Sequence, residues 1–567
     1  MIDGRLDGAG PRRLDNRVGH TLRGQGEIRP ADFFNRGVTS ADTPAGTLTI
    51  APFSFQDFRN SGTLRAQNGG TLNLPIGLPH AIGGLVESLP DSTVVVDGVR
   101  ITGGTVRSVP PSVFNPGTVA GAFRFPNPAE FESIAVEGPL TIDGTDQLIL
   151  RKTIDNTAGQ IAISGSAQLL TGSTSPTTTI TGGSIAAHDN ALANVVSSAL
   201  ADVSATSHDN ARVRINAATI TRGSLNGAGG RVEFAGTSSL TDVTLNGAAV
   251  IDEAASVTVR LFNSLTNNAT WSLLGDGRNA IIEARTDLTI GGTGQIVLGG
   301  HEDNRIRPLG VVLTNAASHT IRGGGSLGRD SGGLINDGLI EADDPANLLI
   351  VDPGGLGFTN RSTMRAANGA NLRPATGVYD NTAGVIEADG AGSRVSFYFS
   401  PTIRGGVLRG INGGVIRPGS LPIFDAVTFE GTVVQGNNAD VTIRNGLINH
   451  ATWSMDGNTR TTDIDLEGDQ TIGGTGQIVM HGTDRNRINP TTDAFITHGA
   501  GHTIRGGGKV LLNDAALLNH GFLIADWSVP LMIDAASRDS ITAASCTLKA
   551  PRVSISSAAR SARPGQS

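Results

Sequence analysis

The sequence predicts an all-β fold: an elongated parallel β-helix, or β-solenoid, with coils of about 20–25 residues. Three observations predict it. The first is composition. Of 567 residues 77 are Gly, aromatics make up 4% and charged residues 17%. That is about twice the usual ~7% glycine, with too little aromatic bulk for a conventional α/β enzyme. No strict Gly-X-Y period is present, which excludes collagen. Hydrophobic residues at 38% with a net charge of −8 argue against wholesale disorder. The second observation is a long repeat. TIGGTGQIV stands within Leu288–Val297 and returns at Thr471–Val479, 182 residues on. NNATWSL at Asn267–Leu273 is answered by NHATWSM at Asn449–Met455 at the same offset, and HTIRGGG at His319–Gly325 by its copy at His502–Gly508. The third is a period of two. Thr63-Leu64-Arg65-Ala66 and Thr71-Leu72-Asn73-Leu74 alternate as strands do, whereas helical repeats need 3.6-residue stripes. The L-x-x-L-x-L-x-x-N signature of leucine-rich repeats is absent.

Along the chain, residues 1–130 read as solenoid that begins inside a module, because HTLRGQG at His20–Gly26 is a third copy of HTIRGGG. A finer unit, N-x-G-x-Φ-x-A with Φ apolar or Thr, starts at Asn35 (NRGVTSA) and Asn60 (NSGTLRA). Two Pro-rich stretches, Leu74–Val94 and Val109–Glu130, leave the repeat and are expected insertions, the natural place for a receptor-binding loop. Residues 131–262 continue the coils, with HDNA at His188 and again at His208. Residues 263–445 form one module carrying NDGLIEA from Asn336, NRSTMRA from Asn360 and NTAGVIEA from Asn381. Residues 446–535 form a second, truncated copy, with NHGFLIA from Asn519. In 536–567 the motif stops, and a Ser/Ala/Arg-rich tail is expected to lie outside the regular coil. An uncapped solenoid end exposes strand backbone and invites end-to-end self-association. Gly and Asn suit tight corners because both tolerate positive φ. An Asn at a fixed corner can stack on the Asn of the next coil and share amide hydrogen bonds.

Candidate chemistry is sparse. Ser326 sits in a formal G-x-S-x-G, and Gly323–Gly328 is a formal G-x-G-x-x-G. Neither is followed by a helix pattern. The repeat copies put Glu27 and Lys509 at the Ser326 position, so an exposed turn is expected there. His188-Asp189-Asn190 and His208-Asp209-Asn210 offer metal-ligand types on neighbouring coils. The preferred reading is a repeated polar turn, with Asp and Asn capping the corner. His20, His319 and His502 recur at one position and read as strand-end packing residues; Trp271 and Trp453 read as plugs at a module junction. Asp343-Asp344 is the adjacent acid pair in a Pro-containing loop (EADDPAN), with no nearby partner to complete a glycosidic or lyase site. The 40 arginines are dispersed among three lysines, with no basic run for nucleic acid, and read as solvated strand-end residues. Cys546 is the single cysteine, so no internal disulfide forms, which settles no compartment. No stretch approaches the ~18 apolar residues of a membrane span. The first twenty residues hold arginines without the apolar run of a signal peptide.

TIGGTGQIV, HTIRGGG and N-x-G-x-Φ-x-A over roughly residues 20–530 resemble the repeats of exported bacterial β-helix proteins: autotransporter passengers and filamentous-haemagglutinin-like surface proteins. The resemblance implies a right-handed coil, a cell-surface or extracellular location, and a structural or adhesin-like role toward surface polysaccharide or protein. The expectation is a non-enzymatic, Gly-rich repeat protein belonging to a larger exported protein. No catalytic, cofactor-binding or metal residue is assigned, and no cofactor. The alternative is a polysaccharide-acting β-helix lyase or hydrolase.

Overall fold

The structure, a computed structural model, describes residues 2–7, 12–52, 58–75, 81–110, 122–172, 177–251, 256–275, 277–419, 421–491, 494–511 and 515–534, with the backbone of three short strands beyond. Among the described residues every regular element is a β-strand, and no helix is present that could cross a membrane. The chain is a parallel β-solenoid. It divides into two compact units, Met1–Ser272 and Leu273–Ser567.

In the first unit the coils lay down three strand segments, in places run together into one long strand such as Gln147–Ile163, and each segment pairs in parallel with its counterpart one coil later. Val38–Ala41 stacks on Thr63–Ala66, then Leu85–Ser88 and Thr105–Ser108. Thr47–Ile50 leads to Thr71–Leu74, Thr93–Val96 and Ala122–Arg124. Arg13–Asn16, Asp32–Asn35, Phe58–Asn60 and Ala81–Ile82 make the third face. Register is held by the period-two pattern. In Thr63–Ala66, Leu64 and Ala66 are buried while Thr63 and Arg65 face outward, so a one-residue slip would expose the core side of the strand. The interior is narrow and aliphatic, with occasional stacked rings such as Phe33 on Phe58 at 5.7 Å.

Coil spacing varies by insertion at the corners. It is 22 residues between Arg65 and Glu87, and 20 between Asp202 and Arg222. It widens to 30 between Arg107 and Glu137, which agrees with an off-repeat stretch over Val109–Glu130; residues 111–121 of it lie outside the described residues. The Leu74–Val94 stretch differs from expectation. Leu85–Ser88 and Thr93–Val94 within it are ordinary coil strands, and only residues 76–80 lie outside the described residues. Pro75 and Pro90 sit between strands, where the missing N–H costs no ladder bond.

The predicted asparagine ladder is present. Asn16 donates to Asn35 Oδ1 at 2.7 Å, and Asn35 to Asn60 Oδ1 at 2.7 Å, all three buried. In the second unit Asn315, Asn336, Asn360 and Asn381 repeat it, with amide bonds of 2.7–2.9 Å. Each of the first three also donates to a backbone carbonyl on the next coil, such as Asn336 to Thr363 O at 3.1 Å. The motif's Asn thus satisfies corner carbonyls that would otherwise be buried without a partner.

The arginines depart from the solvated strand-end reading. Adjacent coils put equivalent side chains ~4.8 Å apart, so an Arg on one coil meets an acid on the next. Arg65 bonds Glu87 at 2.6 Å, Arg365 bonds Glu341 at 2.8 Å, and Arg409 bonds Glu387 at 2.7 Å. These cross-coil pairs were not legible before the coil register was known.

The second unit carries the duplicated module, and its two copies do not fall on the same face. Ile290 lies opposite Asn315, in the stack that runs through Leu313, Leu334, Phe358 and Tyr379 to Ile443. Its counterpart Ile472 lies opposite Leu447, in the neighbouring stack of Ile296, Ile321, Ile340 and Met364. The 182-residue offset therefore equals about eight coils plus one face. A sequence repeat need not be a whole number of turns, because each of the three corners accepts the same Gly/Asn chemistry.

HTIRGGG marks one of these corners. Gly323 has φ 107° and Gly506 φ 109°, and a Cβ on either would stand 2.1 Å from the carbonyl oxygen of Leu298 or Met480 on the preceding coil. Only Gly fits both constraints. At the C-terminal side, the backbone of Ile541–Ala543, Cys546–Leu548 and Ser554–Ile555 continues all three stacks. The coil thus runs beyond the last sequence motif, contrary to the expected irregular tail from 536. Parallel pairing needs backbone groups rather than the Asn motif. The remainder of 535–567 lies outside the described residues.

Candidate functional site

The sequence-level candidates resolve mostly into architecture. Ser326 is not on an exposed turn. It is 4% exposed within the strand Thr320–Leu327, paired with Arg305 and Ile350. The chain bends at Gly323 instead, so Gly324 onward is already strand. The His188 and His208 rings stack at 4.5 Å and 6°. Asp189, Asn190, Asp209 and Asn210 all have positive φ, so H-D-N is a corner unit repeated on successive coils. Among the described residues no group of three metal-ligating side chains converges. Asp343 pairs with Arg322 at 2.5 Å, and Asp344 accepts from Ala346 N and Asn347. The two carboxyls therefore do not face a common substrate space.

Trp271 and Trp453 are interior, packed on Phe234 at 5.3 Å and Phe429 at 4.8 Å. Neither ring is a platform for sugar stacking. His319 and His502 are fully buried, while His20 in the third copy is exposed. His319 donates from Nδ1 to Asn315 Oδ1 at 2.7 Å, and burial lowers its pKa to about 4. In the second copy a relay forms. Asn449 donates to His502 Nε2 at 2.9 Å, His502 Nδ1 to His498 Nε2 at 2.9 Å, and His498 Nδ1 to Asn519 Oδ1 at 2.6 Å. The amide donor at one end and the amide acceptor at the other fix both imidazoles neutral with the proton on Nδ1. Burial, and then the neighbouring His498, lower His502 to about 3; burial lowers His498.

Two outward-facing clusters in the second unit emerge only from stacking. The first is a row of acids. Asp440 lies opposite Asp463, and Asp463 opposite Arg487, which it binds at 2.7 Å. Asp465, two residues along, lies opposite Asn489. Burial, then the Asp463 and Asp440 charges, raise Asp465 to about 6. The first module copy explains the difference. There Glu283, at the Asp465 position, lies opposite Arg307, at the Asn489 position, and binds both Arg307 and Arg285. Those arginines hold Glu283 below its usual value despite burial. The second copy has lost the Arg, and Asn489 Oδ1 is itself buried without a partner.

The second cluster is a recess of about 520 Å³ lined by Arg373, Arg394 and Arg417, with Asn371, Ser396, Tyr398 and the 436–439 turn. Strands Asn371–Pro374, Arg394–Ser396 and Val415–Arg417 are stacked in register, Asn371 opposite Arg394 and Ser396 opposite Arg417. Alternation then puts Arg373, Ser396 and Arg417 in one outward row and Arg394 in the next. No acid lines the recess. Arg373 stacks on Tyr398, its guanidinium carbon 4.4 Å from the ring centroid, and its Nε is shielded from solvent without an acceptor. Asn371 accepts from Arg394 Nε at 3.3 Å and donates to Ser396 Oγ at 3.0 Å with its amide oriented to serve both. Arg373 and Arg417, two coils apart, stand at roughly 10 Å. Two unit charges at that range repel by between about 0.4 and 1.7 kcal/mol, depending on the local dielectric. Beside the recess, Phe399 and Ser400 hold φ of 59° and 57°, and Phe399 is 69% exposed. Left-handed bulky residues cost about 1–3 kcal/mol each. These spacings could have been sought in sequence as R-V-S and V-I-R following N-L-R at coil intervals, but only the register shows that they converge.

The fold and these clusters define a repeat protein of the parallel β-solenoid class. No family model, curated protein or solved structure matches the chain.

Proposed function

We propose that this chain is a non-enzymatic repeat protein of the bacterial surface or secreted fraction, a scaffold that presents an adhesin-like binding surface. The observation that carries the reading is the arginine-lined recess. It is a concave, cationic surface on a stack of coils, with no carboxylate among its lining residues. The exported-protein part of the reading rests on the resemblance of TIGGTGQIV, HTIRGGG and the Asn unit to autotransporter-passenger and filamentous-haemagglutinin-like repeats. Protease accessibility on intact cells of the native host tests it. Cleavage by an added protease, or recovery from the medium, is the expected result. Protection until lysis, with recovery in the cytosol, overturns it.

A polysaccharide-acting lyase or hydrolase is the second reading, favoured by the row Asp440, Asp463 and Asp465 beside Arg487. A carboxyl raised to about 6 is the type of group that serves as a general acid or base. Release of reducing or unsaturated ends from acidic polymers, abolished by Asp465→Asn, would establish that reading in place of the first.

A further inference from the structure

We propose that the recess formed by Arg373, Arg394 and Arg417 binds a ligand carrying at least two anionic groups, carboxylate or sulfate, spaced to bridge coils. This deepens the binding-scaffold reading and rests on it.

Elsewhere in this unit, outward arginines on the coil strands are answered across the coil gap, as Arg322 is by Asp343, Arg365 by Glu341 and Arg409 by Glu387. In the recess the pattern breaks three times on three successive strands. Arg373, Arg394 and Arg417 have no ion pair among the described residues, and the recess is lined by no acid. The positions that would carry the answering carboxylate are taken by Asn371 and Ser396, which are polar, small and buried. Asn371 holds Arg394, the Tyr398 ring holds Arg373, and both guanidinium groups are thereby kept in place without being neutralised. Fixed, unneutralised guanidinium forks are suited to bidentate binding of carboxylate or sulfate. Arg373 and Arg417 stand on strands two coils apart, about 10 Å, a spacing matched by a ligand with two separated anionic groups rather than by one small anion. Such a ligand gains from both arginines at once. The Ser396 hydroxyl lies in the row between them, and the 436–439 turn adds neutral groups one coil beyond Arg417.

The experiment is calorimetric titration of the full chain with three probes: an oligogalacturonate for carboxylates, a sulfated oligosaccharide for sulfates, and inorganic phosphate as a single small anion. A neutral oligosaccharide of equal length is the control. The expected result is saturable binding of one of the two oligomers, weakened steeply by salt. Arg417→Ala should weaken it at least tenfold and Arg373→Ala by a similar factor. Arg361→Ala, which removes an exposed arginine paired with Asp337, should leave it unchanged. Arg417 is itself solvent-facing, so its loss leaves the fold intact, and Arg417→Gln repeats the test with the side-chain bulk retained. Which oligomer binds decides between carboxylate and sulfate. Binding of neither oligomer, phosphate bound as tightly as the oligomers, or equal losses in Arg417→Ala and Arg361→Ala would each overturn the proposal. Cellular location is read separately, so a cytosolic protein that binds the oligomer refutes the surface reading and not the site.

Discussion

Asn489→Arg should stabilise this protein at neutral pH and much less at pH 4. The first module copy holds Glu283 between two arginines, whereas the second holds Asp465 opposite Asn489. Asp465 is raised to about 6 from an ordinary 3.8, chiefly by burial and then by Asp463 and Asp440. A carboxyl raised in the folded state binds its proton more tightly folded than unfolded. Its penalty is therefore fully present above pH 6, shrinks as pH falls through 6, and is gone below 3.8. Two pKa units correspond to about 3 kcal/mol at 1.36 per unit. Asp465 is only half-buried, and solvent screening brings the recoverable part to about 1–2 kcal/mol. An Arg at 489 also gives the lone Asn489 oxygen's place to a donor. For a cooperative unit of roughly 300 residues this amounts to about 2–3 °C in melting temperature. Calorimetry at pH 7.5 and pH 4 measures it, with Asp465→Asn in both backgrounds completing a double-mutant cycle. The gain should appear at pH 7.5, shrink at pH 4, and vanish when Asp465 is replaced. An equal shift at both pH values, or one that survives Asp465→Asn, refutes the reasoning.

Other outcomes follow from the same geometry. Burial depresses His319 to about 4 and His502 to about 3, so both are neutral when folded and charge when unfolded below 6.5. Their contribution is present above pH 6.5 and is lost as pH falls toward 3–4; a melting temperature flat between pH 6.5 and 4 would contradict this. Asn336→Ala strips the acceptor from Asn315 and the donor from Asn360, and should cost about 2–4 kcal/mol by denaturant titration, against near zero for an exposed ladder-free Asn such as Asn458. Trp453→Ala removes a ring packed on Phe429 and hydrogen-bonded to Gln435 at 3.0 Å, and should cost about 3–5 kcal/mol, with Trp453→Phe recovering much of it.

The fold was legible because its causes are local. Alternation in TLRA and TLNL decides which side chains enter the core, and Asn or Gly at a fixed place decides where the chain can turn with positive φ. The Asn ladder was legible for the same reason: one residue type recurring at coil intervals must meet itself. Tertiary structure decided what depends on register between coils. Nothing in the spacing of Arg373, Arg394 and Arg417 says that they share a recess, because corner length varies from coil to coil and a single residue of slip would send a side chain to the core. The acid row was missed likewise. Asp440 and Asp465 are far apart in sequence, whereas the adjacent pair Asp343-Asp344 turned to separate partners. The 182-residue repeat predicted duplication but not that its copies occupy different faces. Three chemically similar corners let the same sequence enter the coil at any of them, so only the stacked backbone fixes which face each copy presents.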